Sequence, residues 1–517
     1  MADALKPPLQ STVRPSDREP SQDDLEKLRA WHEERLQRKL RGEYESQQLH
    51  LGELVNDTLD CPVRIASVKV HGATHTSETF LDWLIRPRLT SPDARSTLHS
   101  VLQTTRSISH SLSATDLFRT VSARIERSPQ GTPGDVDLNF TVTERGRFFV
   151  KTATEIGNCE GTASITARLT NILGRADTFA FNSSVGTKTK RAFDASFSLP
   201  VSPSLSTTAF LSLTGADREL GVQGGLGREE RVTIKAGLRH GGDGLESGMH
   251  ELTAEALWRS IGNLAPEAGL GIRQSAGPAL KAALAHRWTL NMLNDHITPS
   301  KGALMRITNE LSVTKRIPPS PSLAYTTSSF WSISSIGNDG DMGEGPTAFW
   351  KTEAEAKRGW ALPRSSTLTL CARSGLLQVL AGDSDSLHWS DRFQLGGPLS
   401  VRGFSADGMG PRQGTTSLGG TIYYALGLSL LSNIPMRPTW PIKLHTWVNV
   451  GRLQDHNQDV RSTMHTLLTR PSVSAGLGLV YRLDPIRVEA NVAFPLVAAR
   501  GEGLRRGIQV GIGLEML

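Results

Sequence analysis

The stretch LGGPLSVRGF, residues 395–404, places one arginine inside a glycine-rich loop. Glycine adopts left-handed backbone conformations without steric cost, so such a loop can turn tightly. An arginine held between these turns presents five donors in a fixed geometry. An arginine in such a loop is ordinarily a solvated surface residue, but the segments around this one favour a more specific interpretation.

Several segments near this loop alternate apolar with polar residues. The last of them, IQVGIGLEM at 508–516, is followed by a single residue, and segments 350–357, 473–481 and 486–494 alternate in the same way. Successive side chains of a strand point to opposite faces, so each segment is predicted to be a strand with one apolar face. One such strand would fit a soluble sandwich. Many of them, separated by Gly- and Pro-rich turns and ending the chain, favour a barrel.

Composition narrows the function classes. The chain has 517 residues, a net charge of +6 and 38% apolar residues, and no stretch approaches the roughly 18 apolar residues of a membrane helix. The basic residues are interspersed, so nucleic acid is not expected as a partner. Cys61, Cys159 and Cys371 have no metal-site or disulfide-framework spacing. Without a phosphate-binding, metalloprotease or nucleophile-elbow motif, we expect no enzyme activity and no cofactor.

The chain is predicted to divide into an N-terminal segment and two domains. Residues 1–61 begin with a Pro- and Ser-rich tail and continue as a helix from Ser21 to about Asp57, which we expect to be solvated, with a partner-binding surface as the alternative. Residues 62–145 read as a small α+β domain of order β-α-α-β-β, with strands at 63–70, 118–125 and 136–143 and helices from Ser77 to Ile85 and from Ala94 to Leu117. Residues 146–517 read as strands only, about 23 residues for each of sixteen strands and its connection.

These features together resemble a known family. The β-α-α-β-β unit resembles a POTRA domain, and Val401, Arg402, Gly403 and Phe404 match the arginine-loop hallmark of the BamA-like outer-membrane barrel insertase superfamily. Further matches are GNCEG at 157–161, NILGRA at 171–176, PSKG at 299–302 and LGG at 418–420. One POTRA unit and an N-terminus without a basic, apolar secretory signal are similar to the mitochondrial branch, the barrel subunits of the sorting and assembly machinery.

The resemblance implies a fold, a location and partners. The fold is an all-β transmembrane barrel of 16 antiparallel strands preceded by one small α+β POTRA domain. The implied function is insertion of β-barrel precursors into the mitochondrial outer membrane, with the N-terminal domain in the intermembrane space. Implied partners are the precursors, accessory subunits of the same machinery and the lipid bilayer. A polypeptide-translocating or solute-conducting outer-membrane channel is the alternative.

The resemblance also assigns residues to the seam between the first and last barrel strands. The first strand is expected near residues 147–156, and a precursor would reach its edge through Phe148, Val150, Thr152, Thr154 and Ile156. Precursors of this class end in a signal with a polar residue, a glycine and two hydrophobic residues. This chain carries the same pattern as Gln509, Gly511, Leu514 and Met516.

The partner of the loop arginine is left open by the sequence. In bacterial members of the superfamily the arginine meets carboxylates on the inner barrel wall, whereas the comparable strand here reads WVNVG at 447–451, with Asn449 in place of an aspartate. Asn449 and Glu489 are therefore both candidate partners of Arg402.

Overall fold

The computed structural model describes most of the chain and divides it into two compact units. One unit falls within residues 1–73, 85–113 and 118–143, and the other within 74–84, 114–117 and 144–517. The described residues are 22–40, 58–89, 96–129, 131–157, 160–187, 189–220, 226–241, 248–295, 298–317, 345–363, 365–383, 386–414, 416–435, 437, 440–455, 460–483 and 486–513.

The first unit contains a four-stranded sheet. The elements from the first helix to the last strand of this sheet are α1 Gln22–Leu40, β1 Pro62–His71, α2 Glu78–Ile85, β2 Ser96–Thr97, α3 Leu98–Ala114, β3 Phe118–Arg127 and β4 Asp135–Glu144. The strand order is β2-β1-β4-β3, with β1 and β4 parallel. Helix α3 buries a stripe of residues three to four positions apart, as an amphipathic helix does.

Two helix predictions differ from the structure. The helix expected from Ala94 begins only at Leu98, because Ser96 and Thr97 pair as a short strand with Val63 and Pro62. It ends at Ala114 because Asp116 adopts a left-handed conformation before the next strand. The predicted helix from Ser21 to Asp57 is described as α1 up to Leu40, and residues 41–57 lie outside the described residues.

The second unit contains the predicted barrel, a 16-stranded sheet in which every strand pairs antiparallel with its neighbours in the order of the chain. The sequence-based fold class is thereby confirmed. A short hairpin of two strands with two residues each, β16 Arg412–Gln413 and β17 Thr416–Ser417, lies in the chain between two of the barrel strands. The barrel strands are β5 Phe148–Gly157, β6 Glu160–Thr170, β7 Thr178–Gly186, β8 Thr189–Pro200, β9 Thr207–Leu220, β10 Gly227–Gly241, β11 Met249–Gly262, β12 Gly277–Asn291, β13 Ala303–Arg316, β14 Thr347–Leu362, β15 Ser366–Ala381, β18 Ile422–Asn433, β19 Ile442–Gln454, β20 Ser472–Leu483, β21 Ile486–Val497 and β22 Gly507–Gly513.

The barrel region is not made of strands only, so that expectation is wrong. Helices α4 Leu270–Gln274 and α5 Val460–Thr469 occupy connections between strands. The apolar residues Val460, Met464, Leu467 and Leu468 of α5 follow a helical repeat, which the period-two reading overlooked. In the described ranges no helix is both long and apolar enough to cross a bilayer.

The sheet ends at β5 on one edge and β22 on the other. Their Cα atoms approach within 8 Å, yet no hydrogen-bonded ladder joins the described residues of the two strands. Phe148 on β5 and Ile508 on β22 are 65% and 71% exposed. The seam is therefore the place where the first and last strands of the sheet lie next to each other.

Candidate functional site: the arginine loop and the terminal strands

The arginine loop, residues 382–421 between β15 and β18, turns back into the barrel interior. Val401, Arg402 and Phe404 are almost completely buried. Gly403 has φ +87°, and a Cβ there would lie 2.9 Å from the Cβ of Ser474 on β20. Only glycine fits this position without strain, because the backbone is left-handed and the strand lies close.

Arg402 lies against Glu489 on β21. Its Nε and Nη2 donate to the same carboxylate oxygen, Oε2, at 3.0 and 2.8 Å. The side chains are 1% and 0% exposed, so water screens this pair very little. Arg487 makes a close ion pair with the other oxygen, Oε1. The carboxylate is thus shared between two arginines, one from the loop and one from its own strand.

Trp447 on β19 and Asn491 on β21 contact this ion pair from the barrel wall. The guanidinium carbon of Arg402 lies 5.5 Å from the centre of the Trp447 ring, within cation–π range. The indole Nε1 donates to Oδ1 of Asn491 at 3.1 Å, and Nδ2 of Asn491 donates to Glu489 at 2.9 Å. Sequence reasoning missed both residues. They could have been found from the large or polar side chains that share the inward face with the two candidate partners, Trp447 with Asn449 and Asn491 with Glu489.

The other candidate partner, Asn449, binds the loop backbone. Its Nδ2 donates to the carbonyl oxygen of Ser400 at 3.0 Å. The hydroxyl of Ser474 donates to the carbonyl of Arg402. The structure therefore brings both candidates to the loop, with Glu489 on the guanidinium and Asn449 on the main chain.

The terminal strand also reaches the loop. Oε1 of Gln509 accepts from the Gly403 N–H at 2.9 Å, and its Nε2 donates to the Phe404 carbonyl at 3.0 Å. Gly511 lies on the same face of β22, where an added Cβ would be 3.1 Å from Leu399 and 3.4 Å from Pro398. Two of the signal residues therefore face the loop, and Leu514 and Met516 lie outside the described residues.

The first-strand residues are not gathered at the loop. Phe148, Val150, Thr152 and Thr154 are exposed, and the side chain of Ile156 is not described. Their position on the β5 edge, next to β22, is what connects them to the site.

A second anchor holds the loop to the opposite wall. Asp391 accepts hydrogen bonds from Arg259 of β11 at 3.0 Å and from Lys281 of β12 at 3.1 Å. Burial raises the pKa of Asp391, but the two cations outweigh it and hold the pKa well below its usual range. Ser390 also donates to Glu229 of β10 at 3.0 Å. Sequence analysis did not identify this anchor, because nothing local in the sequence links an aspartate to strands more than 100 residues away.

This combination of barrel and buried arginine loop defines a class of outer-membrane protein. A family model described as the Omp85 superfamily domain matches residues 171–516. The chain therefore belongs to the Omp85 superfamily, which confirms the resemblance to BamA-like proteins.

Individual relatives narrow the comparison. The chain is 32% identical over 477 residues to a SAM50-like protein of Schizosaccharomyces pombe, covering 90% of this chain and 94% of the relative. It is 28% identical over 422 residues to the human sorting and assembly machinery component 50 homolog, covering 78% of this chain and 80% of the relative. BamA from Haemophilus ducreyi lacking POTRA domains 1–3 has a similar fold, with a TM-score of 0.65 at 13% identity over 87% of this chain and 84% of that one.

Proposed function

We propose that this protein inserts β-barrel precursors into the mitochondrial outer membrane through a gate between β5 and β22. The observation that carries the proposal is the seam, where β5 and β22, the two end strands of the sheet, approach within 8 Å. Membership in the Omp85 superfamily and relatives named for the sorting and assembly machinery support the substrate class and the location.

The physical basis is exchange of backbone hydrogen bonds. Inside a bilayer each unpaired N–H or C=O costs several kcal/mol, so only a closed or templated edge is tolerated. An exposed strand edge pairs readily with another strand. A precursor's terminal strand that pairs with β5 would replace bonds as others break, so the step needs little net free energy and no nucleotide.

The organisation of the chain follows from this proposal. Residues 1–61 precede a POTRA domain at 62–145, and 146–517 form the barrel. An even number of strands returns both barrel ends to one side of the membrane, so the POTRA domain would lie in the intermembrane space. Accessory subunits of the machinery and the lipid bilayer are the other expected partners.

Disulfide trapping tests the gate. In a chain whose three native cysteines are replaced, Thr152→Cys on β5 should form a disulfide with a cysteine in the terminal strand of an arriving porin-type precursor. The matched control is Leu284→Cys, which is 53% exposed on β12, far from the seam in the sheet order. Equal trapping at both positions, or precursor insertion without trapping at β5, would contradict the proposal.

A further inference from the structure

The contacts of Gln509 suggest how the terminal strand is recognised. Its carboxamide is 2% exposed and uses both of its functions, accepting from the Gly403 N–H and donating to the Phe404 carbonyl. A single side chain thus satisfies the N–H of Gly403 and the carbonyl of the residue that follows it in the arginine loop. Phe404 is fully buried, so these groups have little access to water if the side chain leaves.

The loop and the connection that leads into β22 are also joined along their backbones. Ser405 N–H donates to the Gly503 carbonyl at 2.8 Å, and Arg505 N–H donates to the Gly403 carbonyl at 3.0 Å. These bonds fix the loop peptide beside the start of the terminal strand. The Gln509 side chain therefore meets a preorganised donor and acceptor, which lowers the entropic cost of binding.

Gly511, two residues after Gln509, allows the same close approach to the loop because it has no side chain. Pro398 and Leu399 pack close to Gly511, and a Cβ at this position would crowd both. Gln509 and Gly511 share the inward face of β22, because residues two apart lie on one face of a strand. Val510 between them points the other way and is 56% exposed.

We propose that the arginine loop is the receptor for the inward face of a terminal strand, recognising a carboxamide by two hydrogen bonds and a glycine two positions later by close approach. This inference rests on the proposed function. When a precursor's terminal strand takes the position of β22, the peptide groups of Gly403 and Phe404 lose Gln509, and a glutamine of the precursor restores both bonds. A carboxylate can only accept, an ammonium group can only donate, and an apolar side chain can do neither.

Competition by synthetic peptides tests this recognition with the full-length protein in isolated outer membranes. The parent peptide is residues 506–517, RGIQVGIGLEML, and the measurement is the concentration that halves insertion of a labelled porin-type precursor. Variants carry Gln509→Leu, Gln509→Glu or Gly511→Val, and Val510→Ala is the control on the opposite face.

The loss of two neutral hydrogen bonds predicts that the Gln509→Leu peptide needs about a thirtyfold higher concentration, since each bond contributes on the order of 1 kcal/mol and 1.4 kcal/mol corresponds to about tenfold. The Gln509→Glu peptide should fall between the parent and Gln509→Leu, Gly511→Val should weaken competition, and Val510→Ala should match the parent. Equal competition by the parent and the Gln509→Leu peptide would overturn recognition by the loop while leaving the gate intact. A parent peptide that does not compete at all would instead count against the gate of the proposed function.

The same contact predicts an effect within the chain itself. Gln509→Leu in the full-length protein should free β22 from the loop and increase the rate of seam trapping at Thr152→Cys. An unchanged trapping rate in a stably assembled variant would also overturn the inference. If this variant fails to assemble, the peptide series still decides the question.

Discussion

Arg402 and Glu489 are 87 positions apart in the chain and form a buried ion pair through two donors on one carboxylate oxygen. The pair fixes the tip of the arginine loop to β21, the strand next to the terminal strand. Because Arg487 shares the carboxylate, removal of the loop arginine leaves Glu489 paired with Arg487, but its Oε2 loses both donors that the loop supplies.

Arg402→Ala should therefore destabilise the barrel. The variant loses two hydrogen bonds to a buried carboxylate, and each bond of this kind contributes about 1.5–3 kcal/mol. We expect a lower unfolding temperature in detergent and weaker precursor insertion. The control is Lys235→Ala, whose ion pair with Glu255 is far more exposed and should contribute about 0–1 kcal/mol. Equal losses in the two variants would contradict a special role for the buried pair.

Gly403→Ala should strain the loop without changing any charge. The left-handed φ of +87° and the Cβ of Ser474 at 2.9 Å both oppose a side chain here. We expect a loss of about 1–3 kcal/mol in the free energy of unfolding. Gly262→Ala is the matched control, because an added Cβ there meets nothing within 4 Å. A neutral Gly403→Ala would show that the loop has room to move away from β20.

Asp391→Asn should release the loop from the opposite wall. The change leaves Arg259 buried without the anion that it binds, while Lys281 keeps its ion pair with Glu310 at 2.6 Å, and we expect a loss of about 3–5 kcal/mol. Proteolysis within residues 382–421 should become faster, as measured by fragment analysis in detergent. Adding Arg259→Met removes the surplus charge and should recover part of the stability. If the stability does not recover, Asp391 does not stabilise the loop by balancing charge.

Glu144 predicts a pH dependence outside the barrel strands. Burial raises the pKa of Glu144, but hydrogen bonds from His75, Thr76 and Thr74 outweigh it and lower the pKa to about 2. Since the folded-state pKa is depressed, this carboxylate contributes stability above its usual pKa of 4.5, and the contribution is lost as the pH falls towards 2. Denaturant unfolding between these pH values should show the loss, and Glu144→Gln should flatten it. The exposed Glu267→Gln is the control; the same flattening in it would reject the assignment.

The strands were predictable because their pattern is local. Alternation of apolar and polar residues indicates a strand with one buried or lipid-facing surface. The alternating segments 473–481 and 486–494 lie within β20 and β21. The helix α5 was missed because its connection was taken as part of a continuous run of strands. The start of α3 was misplaced because pairing of β2 with β1 is a tertiary effect that local propensity does not contain.

The site was only partly predictable for a related reason. Asn449 and Glu489 could both be placed on the inward face, but the path of a long loop decides which one meets the guanidinium. Gln509 was recognisable as a polar signal residue, yet its contact with Gly403 depends on that same path. The anchor at Asp391 depends on it as well, since Arg259 is 132 positions away.

The two anchors of the loop make the part of the barrel from β10 to β22 stiffer than the rest. Ser390 and Asp391 hold β10, β11 and β12, and the loop tip holds β19 to β22, so the loop acts as a strut across this part of the wall. The hydrogen bonds described above do not extend to β5–β9. Each strand added at the seam lengthens the circumference by about 4.8 Å. The bending that makes room for a guest strand should therefore concentrate in β5–β9, while the strands from β10 to β22 keep their curvature.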